Sequence, residues 1–428
     1  MTEVDFRLRN CGEIVTASGQ SAARGAALRS VRRIENGALA ARDGTIVAVG
    51  GDAEITASTR LTSGGIEVDA GGKSVIPGLV DPHTHAVFGA PRAAEYAARL
   101  EGRSYTEIAA AGGGIHSSVR DVRGKSLEAL VAAARPRLRR MLAHGTTTVE
   151  IKTGYGLTLE SEMKLLEAIE RLRALVPQTL VVTFMAAHEV PLEFRTDRRA
   201  YIRLVTEEMI PAAASHAEFN DVFCEPTVFT LEETEVISRA GMAHGLRPKV
   251  HADELEPYGA AELACRIGAI SADHLLYVSD GGVQALAASP TVAVLLPGTS
   301  FGLASGRWAP ARRLVDAGAA VALATDFNPG SSYSESMQAA WSLACSMLRM
   351  TPAEGLVAST LNAAAAIGRS GSLGTLEPGK RCDLVVLDCD DYREVPYHFG
   401  VNNVRAVVAG GRLVWTEPGN ASREGGRD

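Results

Sequence analysis

The run GLVDPHTH, residues 78–85, is β-like at its start and ends in two histidines separated by one residue. Seven further runs follow it: TTTVEIKTG (146–154), LVVTFMAAH (180–188), DVFCEP (221–226), PKVHADE (248–254), AISADHL (269–275), VAVLLP (292–297) and VALATDFN (321–328). Longer Ala/Leu/Glu/Arg-rich stretches of helical character separate them, which is the pattern of βα units. Eight such units over about 250 residues match an α/β fold of the (β/α)8 TIM-barrel type. The segment 76–373 is therefore expected to be that barrel.

The flanks read differently. Residues 1–75 hold short strand signals between Gly-rich turns (ALAARDGTIVAVGG, GGIEVDAGGKSV), and GTLEPGKRCDLVVLDCD and VRAVVAGGRLVWTE repeat that signature after the barrel. Residues 1–75 and 374–428 are expected to pair into one small β-sandwich domain formed by both chain ends, with a polar, frayed ASREGGRD at the terminus.

Catalytic groups of such barrels collect at the C-terminal ends of the strands. His83, His85, His188, His251 and His274 all fall at the ends of strand runs, as does Asp326. Two residues apart on an extended strand, His83 and His85 point the same way and can reach one ion. A single histidine in such a place is more often a hydrogen-bonded core residue; a set of this size is not. The expected cofactor is one divalent metal ion held by His83, His85, His251 and Asp326, a nitrogen and oxygen set suited to zinc or iron. Such an ion lowers the pKa of bound water to about 7, so the chemistry expected is hydrolysis.

Glu254, three residues beyond His251, is placed to move a proton from the attacking water to a leaving nitrogen. Asp326 can also accept the water proton, and His274 can polarise a scissile carbonyl. His144 and His244 each precede a glycine at the end of a helical stretch and read as helix C-terminal residues. His116, His216 and His398 carry no assignment. The GKS triplets at 72–74 and 124–126 lack the upstream glycine of a phosphate-binding loop, since Glu67 and Val119 stand there.

VDPHTH, HADE, SADH and ATDFNPGSS, in that order, resemble the amidohydrolase superfamily. PHTHAVFGAPRAAEYAARLEGRSYTEIAAAGGGIHSSV, EIKTGYGL, AAHEVP, DVFCE, LLPGTSF and ALATDFNPGSS are similar to its imidazolonepropionase family. The resemblance implies hydrolysis of 4-imidazolone-5-propanoate to N-formimidoyl-L-glutamate. It also implies substrate contacts at Arg92, Tyr155 and His188, with Asn328, Gly330 and Ser331 on the far side. Arg92 can fork onto a propanoate carboxylate, while Tyr155 and Asn328 can hydrogen-bond ring or formimidoyl nitrogens. Many two-metal relatives carry a carbamylated lysine on strand four; Phe223-Cys224-Glu225 has none there, and Lys152 lies on strand two, so one metal is expected. Cys224 reads as a packing thiol rather than a bridging thiolate. Glu189 stands where a small apolar residue is more usual, and facing inward it would repel an anionic substrate.

The competing enzyme reading is a metal-dependent deaminase of a heterocyclic base such as cytosine or guanine, which uses the same constellation; Arg92 is the discriminating residue, because a neutral base gives it no partner. A catalytically dead metal-binding relative is disfavoured by Glu254 and His274 both being present.

With 43 basic against 50 acidic residues, a formal net charge of -7, nothing favours a nucleic-acid or anionic-membrane partner. The expected partner is a small-molecule substrate, with a homodimer left open. No basic segment followed by an apolar run opens the chain and no stretch reaches about 18 apolar residues, so the expected location is the cytoplasm. Cys11, Cys224, Cys265, Cys345, Cys382 and Cys389 form no CxxC pair and are expected to be reduced thiols.

Overall fold

A computed structural model describes residues 1–103, 107 and 112–418. The SYT and IAAA stretches of the long motif after the first histidines, and the terminal ASREGGRD, lie outside the described residues.

The N-terminal segment forms β1 (Thr2–Thr16), β2 (Arg32–Arg42), β3 (Thr45–Gly51), β4 (Thr59–Asp69) and β5 (Ser74–Pro77). The eight parallel barrel strands follow: β6 (Leu79–Asp81), β7 (Thr146–Lys152), β8 (Thr179–Ala187), β9 (Phe219–Cys224), β10 (Arg247–Ala252), β11 (Ser271–His274), β12 (Val292–Leu295) and β13 (Val321–Leu323). β14 (Leu384–Leu387), β15 (Val404–Ala409) and β16 (Arg412–Thr416) complete the chain.

All eight expected strand runs are strands, and each barrel strand pairs with its sequence neighbour from β6 to β13. Several are shorter than their apolar runs suggest. Beyond Asp81 and Leu323 the chain leaves the regular ladder, and there the barrel closes: Asp326 N donates to His83 O at 3.1 Å and His85 N to Phe327 O at 2.9 Å. The seam therefore runs through the histidine and aspartate cluster itself.

Helices cover the outside of the barrel. The one leading into β7, Leu127–Ala143, buries Leu130, Ala134, Leu138 and Met141 at the i, i+4, i+8 and i+11 spacing of an amphipathic stripe, and Ser126 caps it by accepting from Ala129 N. The helix after β9, Leu231–Ala243, starts in a capping box of Thr230 and Glu233. These caps and stripes fix where each helix begins and which face it buries.

The chain ends form a second, mixed sheet in the order β16-β15-β14-β5-β1-β2-β3. β1 forks, pairing β4 along Thr2–Arg9 and β5 at Glu13 and Ile14. Phe6, Leu8, Ile14, Leu39, Ile46, Val75, Leu384, Val386 and Val408 share one core, so strands from both termini fold over a common apolar layer. Ile46 N donates to Lys380 O at 2.8 Å and Cys382 N to Gly44 O at 2.8 Å, which ties β3, at one edge of the sheet, to the segment that leads into β14.

Candidate metal centre and active site

The C-terminal ends of the barrel strands converge on a small cluster. Donor atoms of His83, His85 and Asp326 lie within 4.8 Å of one another, as do those of His83, His251 and His274. The two groups share His83. Its ring centroid is 4.5 Å from that of His251 and 5.6 Å from that of His85. His274, expected to act in catalysis, is thus as near to His83 and His251 as the expected ligands are to one another.

The chemistry of this set suits a cation. Nε2 of His83, Nδ1 of His85 and both ring nitrogens of His274 are buried without a hydrogen-bond partner, an arrangement that costs free energy unless something accepts their lone pairs. Burial pushes His83, His85 and His274 well below the usual imidazole range, so they are neutral, the form that binds metal. Asp326 is pushed up to about 6, chiefly by burial, and Thr299 Oγ1 donates to its Oδ2 at 2.5 Å.

Backbone strain collects at the same strand ends. His274 has φ 78° and Asp326 φ 51°, both left-handed, a conformation that non-glycine residues hold only when their surroundings impose it. His274 is the last paired residue of β11 and Asp326 lies three residues past the end of β13, so both stand where the regular ladder stops.

Buried carboxylates hold two of the histidines from behind. Asp273 Oδ2 lies 2.6 Å from His83 Nδ1, and Asp221 Oδ1 lies 3.1 Å from His251 Nδ1. A ring whose Nδ1–H donates to a carboxylate presents its Nε2 lone pair forward. The fully buried Lys152 sits between these carboxylates, beside Glu150. Burial opposes its charge, but Asp221, Glu150 and Asp273 outweigh that and hold it protonated. For Asp221 burial is likewise the largest influence, yet His251 and Lys152 overcome it and keep the carboxyl well below the usual range. Sequence reading assigned none of these carboxylates a role. Their signal is an acidic residue in the middle of a short β-branched or aromatic strand run that is almost wholly buried, as in TTTVEIK and FNDVFC.

Glu254 is partly buried, with Oε2 3.5 Å from His274 Nε2. Burial, then Asp326, then Glu225 push its carboxyl well above the usual range. Glu225 accepts from Glu254 N at 2.6 Å and Leu255 N at 3.0 Å, which fixes the loop that carries Glu254.

A cavity of about 160 Å³ opens over the cluster, lined by His85, His188, His251, His274, Asp326 and Glu254 together with Arg92, Arg99, Tyr155, Asn328 and Ser331. Arg92 Nε lies 3.5 Å from Glu95 Oε2, but Nε and Nη1 are buried without a hydrogen bond. His188 stacks on His85 at 4.8 Å and 17°, with Nδ1 3.1 Å from Gly154 O, so Nδ1 donates and Nε2 can accept. Gly154 has φ 104°, and a Cβ there would meet His188 Nδ1 at 2.9 Å, so this turn requires glycine.

Asn328 behaves differently from expectation. Its Oδ1 accepts from Gly330 N and Ser331 N, and its Nδ2 donates to Asp326 O and Ser331 Oγ, so its polar atoms shape the turn. Gly330 borders a larger, apolar cavity of about 770 Å³ on the far side of Arg92, lined by Phe301, Tyr333 and Phe399 and by no histidine or carboxylate. The chemistry belongs to the smaller cavity.

Glu189 does not line the smaller cavity; its carboxylate accepts from its own neighbour Val190 N at 2.9 Å. Cys224 is buried with its thiol pushed up to about 12 by burial and lies against Thr234, outside the groups that could hold an ion. His144 and His244 are the C-terminal caps of the helices Leu127–Ala143 and Leu231–Ala243, each followed by a left-handed glycine, as expected.

Residues 74–414 match the model of the amidohydrolase family. The chain is 49% identical over 415 residues to the imidazolonepropionase of Geobacillus thermodenitrificans, covering 96% of this chain and 98% of that one. It is 47% identical to that of Symbiobacterium thermophilum, covering 97% and 99%. Among solved structures, Escherichia coli guanine deaminase superposes with a TM-score of 0.72 at 16% identity, covering 96% of this chain and 99% of that one, a likeness of fold alone. The family and the histidine and aspartate cluster together indicate a bound metal ion. This chain belongs to the amidohydrolase family and, within it, to the imidazolonepropionases.

Proposed function

We propose that this chain opens the ring of 4-imidazolone-5-propanoate with water, giving N-formimidoyl-L-glutamate. The observation that carries the substrate is Arg92: a partly buried guanidinium on the wall of the cavity over the histidine cluster, ion-paired with Glu95 at 3.5 Å but with Nε and Nη1 free of any hydrogen bond. A cation so placed calls for an anionic ligand, and the propanoate supplies one.

We take His83, His85, His251 and Asp326 as the residues that hold one zinc or iron ion. When bound, that ion supplies a water of lowered pKa and polarises the amide carbonyl. Asp326 takes a proton from the attacking water as its oxygen bonds to the ring carbonyl carbon. Glu254, kept protonated by burial and by Asp326 and Glu225, delivers a proton to the ring nitrogen as its bond to that carbon breaks. His274, neutral and beside Glu254, orients the reacting groups. Tyr155 and the Nε2 of His188 line the same wall and hydrogen-bond the ring, and Asn328 and Ser331 close the pocket. The products are a carboxylate and a formimidoyl nitrogen, with no ammonia released.

In this reading segment 76–373 does the chemistry and segments 1–75 and 374–428 support it. No helix among the described residues is long and apolar enough to cross a membrane, which agrees with a cytoplasmic enzyme of small-molecule metabolism. The test is a substrate panel at fixed metal, comparing imidazolonepropanoate with hydantoins, cytosine and guanine. Ring opening of the first without ammonia is expected; ammonia from a base would return the deaminase reading.

A further inference from the structure

We propose that Lys152 is a positioning residue for the metal centre: its ammonium ties together Asp221 and Asp273, the carboxylates that hold His251 and His83 from behind. This rests on the reading of His83 and His251 as metal ligands.

Lys152 ends β7, and its side chain is wholly excluded from solvent. Its Nζ lies 2.7 Å from Glu150 Oε1, 2.8 Å from Asp221 Oδ2 and 3.9 Å from Asp273 Oδ2. The opposite oxygen of Asp221 faces His251 Nδ1, while the same Oδ2 of Asp273 faces His83 Nδ1. One ammonium therefore backs two carboxylates on β9 and β11, and each of those backs one imidazole. Lys249 also acts on Asp273 through its charge, but its Nζ donates to the carbonyls of Ala366 and Pro82, at 3.1 and 3.4 Å, and lies within ion-pair distance of neither aspartate.

A fully buried cluster of like-charged carboxylates is costly, and buried ion pairs are weak devices for stability, since apolar replacements of similar volume often do as well. They gain a purpose where a geometry must be fixed. Without Lys152, Asp221 and Asp273, on the two strands that flank β10, would repel each other, and each imidazole would be free to rotate its lone pair away from the centre. Partners that orient metal-bound histidines typically contribute about 10–100-fold in metal affinity.

The test compares Lys152→Met with the full-length wild type. Zinc affinity is measured by chelator competition, coordination by the visible absorption of the cobalt-loaded protein, and folding by circular dichroism and thermal unfolding. The expected result is a folded protein whose zinc Kd rises about 10–100-fold and whose cobalt spectrum changes. A folded Lys152→Met protein with zinc Kd and cobalt spectrum like wild type overturns the proposal. Should Lys152→Met fail to fold, the double variant Lys152→Met/Glu150→Gln removes the uncompensated charge. If that folded double variant binds metal as wild type does, Lys152 served only as a counter-charge and the proposal falls; weakened binding with an altered spectrum upholds it. His83→Ala and His251→Ala separate the two readings: metal binding unaffected by either would remove the ligand assignment, whereas loss there with none in the lysine variants removes only the role of Lys152.

Discussion

Arg92 packs so closely on Gly330 that a Cβ on residue 330 would stand 1.5 Å from Arg92 Nη2. The atom in the way is the tip of a flexible side chain, so an alanine there moves the guanidinium and leaves the backbone in place. Gly330→Ala is expected to raise KM for imidazolonepropanoate with little change in unfolding temperature. Steady-state kinetics beside thermal unfolding checks this, and an unchanged KM would detach Gly330 from substrate binding.

Arg92→Ala removes the cation itself. A charge-assisted hydrogen bond contributes about 1.5–3 kcal/mol, roughly a ten- to 150-fold change in affinity. KM should rise by that factor, and Arg92→Lys should recover only part of it, because a point charge cannot reproduce the planar fork. A wild type that opens imidazolones lacking the carboxylate equally well would contradict the role.

Chelation should abolish activity, and zinc or ferrous ion should restore it. Elemental analysis should give about one metal per chain, since the proposed ligands His83, His85, His251 and Asp326 would share one ion and leave it a place for water. Cys224→Ser should leave that content unchanged, because the thiol lies outside the cluster. Two metals per chain, or loss of metal in the serine variant, would refute the mononuclear reading.

Glu254→Ala should keep the metal and lose about 10²–10⁴ in kcat, because a proton shuttle acts on the transition state and not on the ion. A decrease of only a few-fold would remove Glu254 from the proton path.

Glu162 supports the turn that carries Tyr155: it accepts from Gly154 N at 3.1 Å, Gly156 N at 2.7 Å and Leu157 N at 2.8 Å, wholly buried. Glu162→Ala leaves these donors unsatisfied and should destabilise the fold by about 1–3 kcal/mol or more, read by denaturant unfolding, with a raised KM from the loosened tyrosine. Unchanged stability would mean that water replaces the carboxylate.

Local sequence was enough to mark the eight strand runs and the residues at their ends. Strand periodicity is local, and GLVDPHTH, PKVHADE and VALATDFN each place a polar ligand type directly after an apolar run. It also marked His144 and His244 as helix ends, because a cap is a matter of adjacent residues. What these groups touch was settled by long-range packing. Asp273 meets His83 across 190 positions of chain and Asp221 meets His251 across 30, contacts created by parallel pairing and barrel closure. It decided that Asn328 spends its amide on its own turn and that the carboxylate of Glu189 folds back on Val190. It also set Lys152 between carboxylates from separate strands. Such roles depend on which atoms share a low-dielectric interior, and that is fixed by how the strands stack around the barrel, which no local pattern encodes.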